Sequence, residues 1–202
     1  MARKRAKEAI EDPKKAYYYA KNVIKGRWCQ AELLLMKHPD LAYYYAKAVI
    51  KGRWPEAESV IMKYPRWAYE YANDVIKGRW SEAEPVIMKD PEYAYKYARH
   101  IIGGRWSEAE SVIMEDPVLR VHWVYLYAKD VIRGRWPEAE PYVMNKPDYA
   151  CYYAEDVIKG RWPEAESVIM EDPVRAHWYA RNVIKGRWLE WEEYKHFLST
   201  LS

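Results

Sequence analysis

The sequence predicts an all-α fold: a right-handed αα-solenoid of seven short helix pairs with a capping helix at each end. Three observations predict it. The tripeptide Gly-Arg-Trp begins at Gly26, Gly52, Gly78, Gly104, Gly134, Gly160 and Gly186, so every step is 26 residues except one of 30. Self-similarity at a period of roughly 20–50 residues marks stacked supersecondary units rather than one closed core. A proline recurs in the same register, at Pro13, Pro39, Pro65, Pro91, Pro117, Pro147 and Pro173. Between proline and glycine the apolar residues keep the i, i+3, i+4, i+7 spacing of one helical face, as in Ala94, Tyr97, Ala98 and Ile101.

The elements follow in order. Residues 1–12 read as a charged helix that caps the front, and residues 13–188 as the seven repeats, 26 residues each and 30 in the fifth. Residues 189–202 read as a rear cap, because a stack needs atypical ends to limit open-ended association. In each repeat the first helix, helix A, starts at the proline. Proline suits the first helical position, which needs no donor, and Asp12, Asp90, Asp116 and Asp172 stand before it as carboxylate caps. Two alanines on the apolar stripe let a neighbouring helix approach closely. Helix A is expected to stop at the glycine of Gly-Arg-Trp, which adopts the left-handed conformation without a Cβ penalty.

Helix B follows the tryptophan and runs to the next proline. Ser81-Glu-Ala-Glu84 and Ser107-Glu-Ala-Glu110 match a capping box. Elsewhere Pro55, Pro137 and Pro163 replace the serine, and Pro85 and Pro141 lie further in. A position that tolerates proline donates no backbone hydrogen bond, so the first turn of helix B is expected to be tight, of 3₁₀ type. Its apolar face is Ala83, Val86 and Ile87, with methionines such as Met88 filling the gap between units. The fifth repeat has four extra residues after Pro117, about one helical turn, which predicts an N-terminal lengthening of its helix A.

Composition bounds the class. Half of the residues are apolar and 31% are charged, a globular composition that excludes a disordered chain. The 33 basic and 30 acidic side chains balance too evenly to point to nucleic acid. No apolar run approaches the roughly 18 residues of a membrane-crossing helix. The basic start Met-Ala-Arg-Lys-Arg lacks the apolar stretch of a secretory signal. Cys29 and Cys151 lie far apart without ligand-like spacing, which fits a reducing compartment. With 20 Tyr and 11 Trp against a single Phe, the aromatic positions are of the half-buried kind, apolar in body and polar at the tip.

Units of the form Ala-Tyr-x-Tyr-Ala-x-x-Val-Ile-Lys-Gly-Arg-Trp-Pro-Glu-Ala-Glu resemble tandem repeats in uncharacterised proteins of large bacteriophages and some bacteria, over residues 13–188. The resemblance implies an αα repeat body, no particular activity, and a cytoplasmic location in a bacterium or a phage-infected cell. More loosely, the chain is similar to tetratricopeptide and Sel1-type scaffolds, which mostly bind proteins. Their repeats, about 34–36 residues, are longer than these, so no site carries over from them.

Identical residues in every copy maintain a stack, so a site for one partner must be written in the differences. Each Arg of Gly-Arg-Trp is expected to pair with the glutamate five residues later, as Arg27 with Glu32, and each Trp to pack between repeats. The tyrosine seven positions into each repeat, from Tyr19 to Tyr179, reads as structural too. Two columns vary on the outer face of helix A. One is Tyr18, Tyr44, Glu70, Lys96, Leu126, Tyr152 and Trp178; the other is Lys21, Lys47, Asn73, Arg99, Lys129, Glu155 and Arg181.

Together with the local oddities His122-Trp123 and His177-Trp178, these give the candidate protein-binding residues: Tyr18, Tyr44, His122, Trp123, Leu126, Tyr152, His177 and Trp178. Aromatic anchors with a mixed-charge rim suit a protein interface. The histidines lack an i, i+4 partner and a Cys/His cluster, and there is no Gly-rich phosphate loop or Gly-x-Ser-x-Gly. No catalytic, cofactor-binding or metal residue is therefore assigned, and no cofactor is expected. The expected function is a non-enzymatic helical-repeat protein that binds another protein, as a scaffold or a sequestering factor. The alternative is nucleic acid or a small anionic ligand along the Lys/Arg/Tyr columns. No membrane contact is expected, and the oligomeric state is left open.

Overall fold

The computed structural model describes residues 2–115 and 119–200, and among these all regular structure is helical. The α segments of the A helices are Pro13–Tyr19 (A1), Pro39–Tyr45 (A2), Pro65–Tyr71 (A3), Pro91–Tyr97 (A4), Arg120–Tyr127 (A5), Pro147–Tyr153 (A6) and Pro173–Tyr179 (A7). The B helices are Cys29–Leu35 (B1), Pro55–Ile61 (B2), Glu84–Ile87 (B3), Ser107–Glu115 (B4), Glu140–Met144 (B5), Pro163–Met170 (B6) and Leu189–Thr200 (B7). A front helix, Ala2–Ala9, packs on A1. The fold is the expected all-α αα-solenoid of seven helix pairs.

The chain divides into two compact units, Met1–Gly103 and Gly104–Ser202. In the first, A1 to A4 pack side by side in sequence, with B1, B2 and B3 each between two A helices. In the second, A5, A6 and A7 repeat that arrangement with B5 and B6, and B4 packs on A5. The alanines that face neighbouring helices, Ala42 and Ala46 for example, are fully buried.

Local chemistry starts A1, A4 and A7 as expected. Asp12, Asp90 and Asp172 accept backbone N–H groups of the first turn, at 2.8 to 3.2 Å. Asp116 and Pro117 lie outside the described residues. The end of helix A differs from the sequence expectation. Each α segment passes into a π-helical turn, Ala20–Ile24 in A1 and Ala46–Ile50 in A2, and the pattern recurs in the other five.

The left-handed residue comes before the glycine of Gly-Arg-Trp. Lys25, Lys51, Lys77, Arg133, Lys159 and Lys185 have φ between 57° and 61°, and Gly103 has φ 74°. The wide turn explains the shift. The Ala46 carbonyl accepts from Lys51 N–H at 2.7 Å and from Gly52 N–H at 3.3 Å, and only a left-handed Lys51 brings both donors to one oxygen. A Cβ at Gly52 would meet no atom within 4 Å, so steric demand does not account for the glycine itself.

Helix B opens with the tight turn that its prolines predict. Ala139 N–H bonds to the Trp136 carbonyl at 3.0 Å, an i to i+3 bond, and the α segment starts only at Glu140. The expected capping boxes do not form as such, because Glu84 and Glu110 turn to Arg79 and Arg105. The fifth repeat is described only in part. A5 begins at Arg120 after the N-cap Leu119 and is one residue longer than the other A segments, and the expected longer start over Pro117 and Val118 lies outside the described residues.

The repeats are joined by a clasp of four residues. In the first unit Arg53 grips Glu58 with two hydrogen bonds, Nε to Oε1 at 2.8 Å and Nη2 to Oε2 at 2.7 Å. Tyr71, from the next A helix, donates its hydroxyl to Glu58 at 2.9 Å and accepts the Trp54 backbone N–H at 2.6 Å. The same clasp is made around Tyr45 and Tyr97 in this unit, and around Tyr127, Tyr153 and Tyr179 in the second. The pairing of Arg with the glutamate five residues on holds in all seven repeats.

Burial would ordinarily discourage a carboxylate here. Three donors on one carboxylate reverse that, and charge-assisted bonds of this kind are the strong ones. The Arg27 guanidinium holds the Glu32 carboxyl below its usual range against the opposing effect of burial, with the Tyr45 hydroxyl assisting. Glu58 and Glu84 are lowered for the same reason, by Arg53 and Arg79. Beside each clasp a buried indole fills the layer: Trp54 packs against Tyr45 in a tilted pair with ring centroids 5.0 Å apart. Burying one indole removes roughly 200 Å² from water, worth at most about 5 kcal/mol. Gly-Arg-Trp is thus joinery.

Candidate functional site: the outer face of helix A

Once Tyr71 and its counterparts are clasped inward, helical geometry fixes what faces outward. Tyr44, which precedes the clasped Tyr45, points away from the core and is 39% exposed, and Tyr18 at the same place in A1 is 57% exposed. The residue two positions after the proline shares that face, as Trp67 and Tyr93 do. In the first unit these rings touch in series: Tyr18 to Tyr17 at 5.1 Å, Tyr17 to Tyr44 at 6.3 Å, and Tyr44 edge-on to Trp67 at 5.9 Å.

The second unit carries its own series. His122 meets Trp123 at 4.8 Å and Tyr149 at 6.3 Å, and Tyr149 meets Tyr152 at 6.2 Å. Tyr152 meets Trp178 edge-on at 6.0 Å. His122 also shares a hydrogen bond with the Tyr149 hydroxyl, at 3.4 Å. Edge-on and tilted pairs are the favoured aromatic geometry, so these half-exposed rings hold one another in place.

A polar ladder lies beside the rings. Lys47 donates to Asp74 at 2.5 Å and to the Tyr43 hydroxyl at 3.0 Å, and Tyr43 itself donates to Asp74. Lys129, Tyr125 and Asp156 repeat the triad in the second unit, with Lys129 to Asp156 at 2.8 Å. Burial opposes the charge on Asp74, but the bonds from Lys47 and Tyr43 outweigh it and lower its pKa. Burial pushes the Tyr43 and Tyr125 hydroxyls up to about 12, and their acidic partners add to it. Tyr69 and His100 occupy the matching places in A3 and A4, with 2.8 Å between hydroxyl and Nδ1.

No protein-family model, no curated protein sequence and no solved structure matches the chain. What the face can do must therefore be read from its own geometry.

Of the predicted residues, Tyr18 and Tyr44 fall into the first ring series, and His122, Trp123, Tyr152 and Trp178 into the second. Leu126 is half-buried in A5. His177 is exposed and stands apart from the rings, at the rim of a groove between A7 and B7. The sequence reading missed Trp67 and Tyr149, which bridge neighbouring tyrosines, and the acceptors Asp74 and Asp156. The signal for the acids was present: each follows its lysine by 27 residues, one more than the period.

The remaining oddities do not add chemistry. Cys151 replaces the tyrosine of the polar ladder and is buried, its Sγ 3.7 Å from the Arg175 carbonyl oxygen. Burial pushes its thiol up to about 12, which keeps it protonated and inert. Among the described residues there is no group of three His, Cys, Asp or Glu that could hold a metal ion, and no helix is long and apolar enough to cross a membrane.

Proposed function

We propose that this chain is a non-enzymatic helical-repeat protein that binds another protein through the outer face of its A helices, acting as a scaffold or as a factor that sequesters its partner. The observation that carries the reading is the series Trp123, His122, Tyr149, Tyr152 and Trp178, rings that are partly open to solvent and fixed by mutual contact. Rigid, amphipathic rings with little rotamer entropy to lose are the usual anchors of protein interfaces. The flanking Lys129–Asp156 pair supplies a polar rim.

Nucleic acid or a small anion along the basic columns has less support. Lys47 and Lys129 answer Asp74 and Asp156, and the Gly-Arg-Trp arginines answer glutamates. Cations already engaged in pairs release few counterions on meeting a phosphate backbone.

The test is affinity capture with the purified chain, followed by direct titration of the recovered protein against wild type and the Tyr149→Ala/Tyr152→Ala/Trp178→Ala variant. Loss of affinity by about a hundredfold in a variant that keeps its helical circular dichroism is expected from removing clustered aromatic anchors. Equal affinity of both forms would remove this face from consideration. Affinity for an oligonucleotide that falls steeply with salt would favour the alternative.

A further inference from the structure

The seventh repeat holds half of a clasp. Arg187 pairs with Glu192, Nη2 to Oε2 at 2.5 Å, but among the described residues no tyrosine closes the set. The exposures register this: the Glu192 side chain is 41% exposed, against 8–13% for its six counterparts. Beside it, between A7 and B7, runs an open groove of about 570 Å³ lined by His177, Ala180, Arg181, Trp188, Trp191 and Glu192, among others.

The earlier repeats show what such a groove receives. Where A2 and B2 form it, A3 lies in it: Tyr71 binds Glu58 and the Trp54 N–H, while Asp74 binds Tyr43 and Lys47. Each residue that holds A3 has a counterpart in the groove. Trp188 and Glu192 stand for Trp54 and Glu58, and His177 and Arg181 stand one turn apart where Tyr43 and Lys47 stand. A5 and A6 confirm the second contact, with Tyr125 and Lys129 holding Asp156. Trp191 replaces the small alanine of the other B helices and is itself buried, with Lys195 over its ring at 5.7 Å, so the incoming helix must present small residues there.

The geometry points to this groove as a docking site for an α-helix of another protein with the pattern Ala-x-x-Tyr-Ala-x-Asp. The tyrosine hydroxyl closes the Arg187–Glu192–Trp188 clasp, the aspartate bridges His177 and Arg181, and the alanines pass over the Lys195–Trp191 pair. The site is separate from the aromatic face and does not depend on it.

The probe is a fluorescent peptide with the sequence of Pro65–Gly78, Pro-Arg-Trp-Ala-Tyr-Glu-Tyr-Ala-Asn-Asp-Val-Ile-Lys-Gly, which contains the pattern as Ala68, Tyr71, Ala72 and Asp74. Its helix is pre-formed by Arg66→Lys and a lactam from that lysine to Glu70, since a free peptide of this length is mostly unfolded. Anisotropy titration with the full chain is expected to saturate. Phenylalanine at the Tyr71 position and asparagine at the Asp74 position should each weaken binding, the first by about tenfold.

In the chain, Glu192→Gln and Arg181→Ala should weaken binding of the parent peptide, while the Tyr149→Ala/Tyr152→Ala/Trp178→Ala variant should bind it normally. Absence of saturation at about 1 mM peptide overturns the proposal. So does equal affinity for the phenylalanine peptide, or indifference to Glu192→Gln in a folded variant.

Discussion

The hydroxyl of Tyr71 accepts the backbone N–H of Trp54 at 2.6 Å, and through that one bond a side chain of the third repeat finishes the loop of the second. Without it, the first backbone donor of helix B would be buried with no acceptor. The same hydroxyl gives its proton to Glu58, so one atom serves both the loop and the ion pair.

Tyr71→Phe should therefore cost about 2 kcal/mol, because it strands a buried N–H and removes a donor from a buried carboxylate. Tyr19 is the internal control. It packs on Trp28 at 5.1 Å but meets no preceding clasp among the described residues, so Tyr19→Phe should stay within about 0.5 kcal/mol of wild type. Urea denaturation of both variants measures the difference, and equal losses would deny the clasp its role.

The lowered carboxyls of Glu32, Glu58 and Glu84 set the acid limit. They ionise more readily in the folded chain, so the unfolded chain binds more protons as the solution becomes acidic. Their contribution is present above the ordinary value of 4.5 and is lost as pH falls through the lower folded values. Tyr45 and Tyr97 set the alkaline limit. Burial raises their hydroxyls from 10.0 to about 12, so stability is intact below pH 10 and is lost as pH rises towards 12. Melting temperature against pH should fall at both ends, with tyrosinate absorbance appearing together with unfolding at the upper one.

The left-handed lysines make a further prediction. An L-residue in that conformation costs about 1–2 kcal/mol, and glycine returns part of the gain through its freer unfolded chain. Lys159→Gly, at φ 61°, should raise stability by about 0.5 kcal/mol. A lower urea midpoint for this variant would contradict the assigned backbone.

The two thiols should separate cleanly. Cys29 is exposed and Cys151 is buried with its thiol held protonated. An aromatic disulfide reagent should modify one thiol quickly in the folded chain and the second only in denaturant. Two fast equivalents at neutral pH would show that Cys151 is not sealed in.

How much of this was legible beforehand depends on distance along the chain. Arg27 and Glu32 lie five residues apart and both recur, so their pairing could be read directly. The Tyr45 hydroxyl on Trp28 could not, since it needs the next A helix already in place. The π-helical turn was hidden because a Val-Ile pair at its end satisfies an α spacing nearly as well as a wider one. That turn in turn moved the left-handed residue from Gly52 to Lys51. On the candidate face, Tyr44 and Tyr152 were found as variable columns, whereas Trp67 and Tyr149 became visible only once ring met ring.

Each clasp spans a single junction and asks nothing of any repeat beyond it. A gene built this way can lose or duplicate one coding module by unequal recombination, and the new boundary will carry the same four partners as the old. The number of units can then change while each internal junction keeps its own partners, and the rings on the outer face can change without altering the framework that displays them.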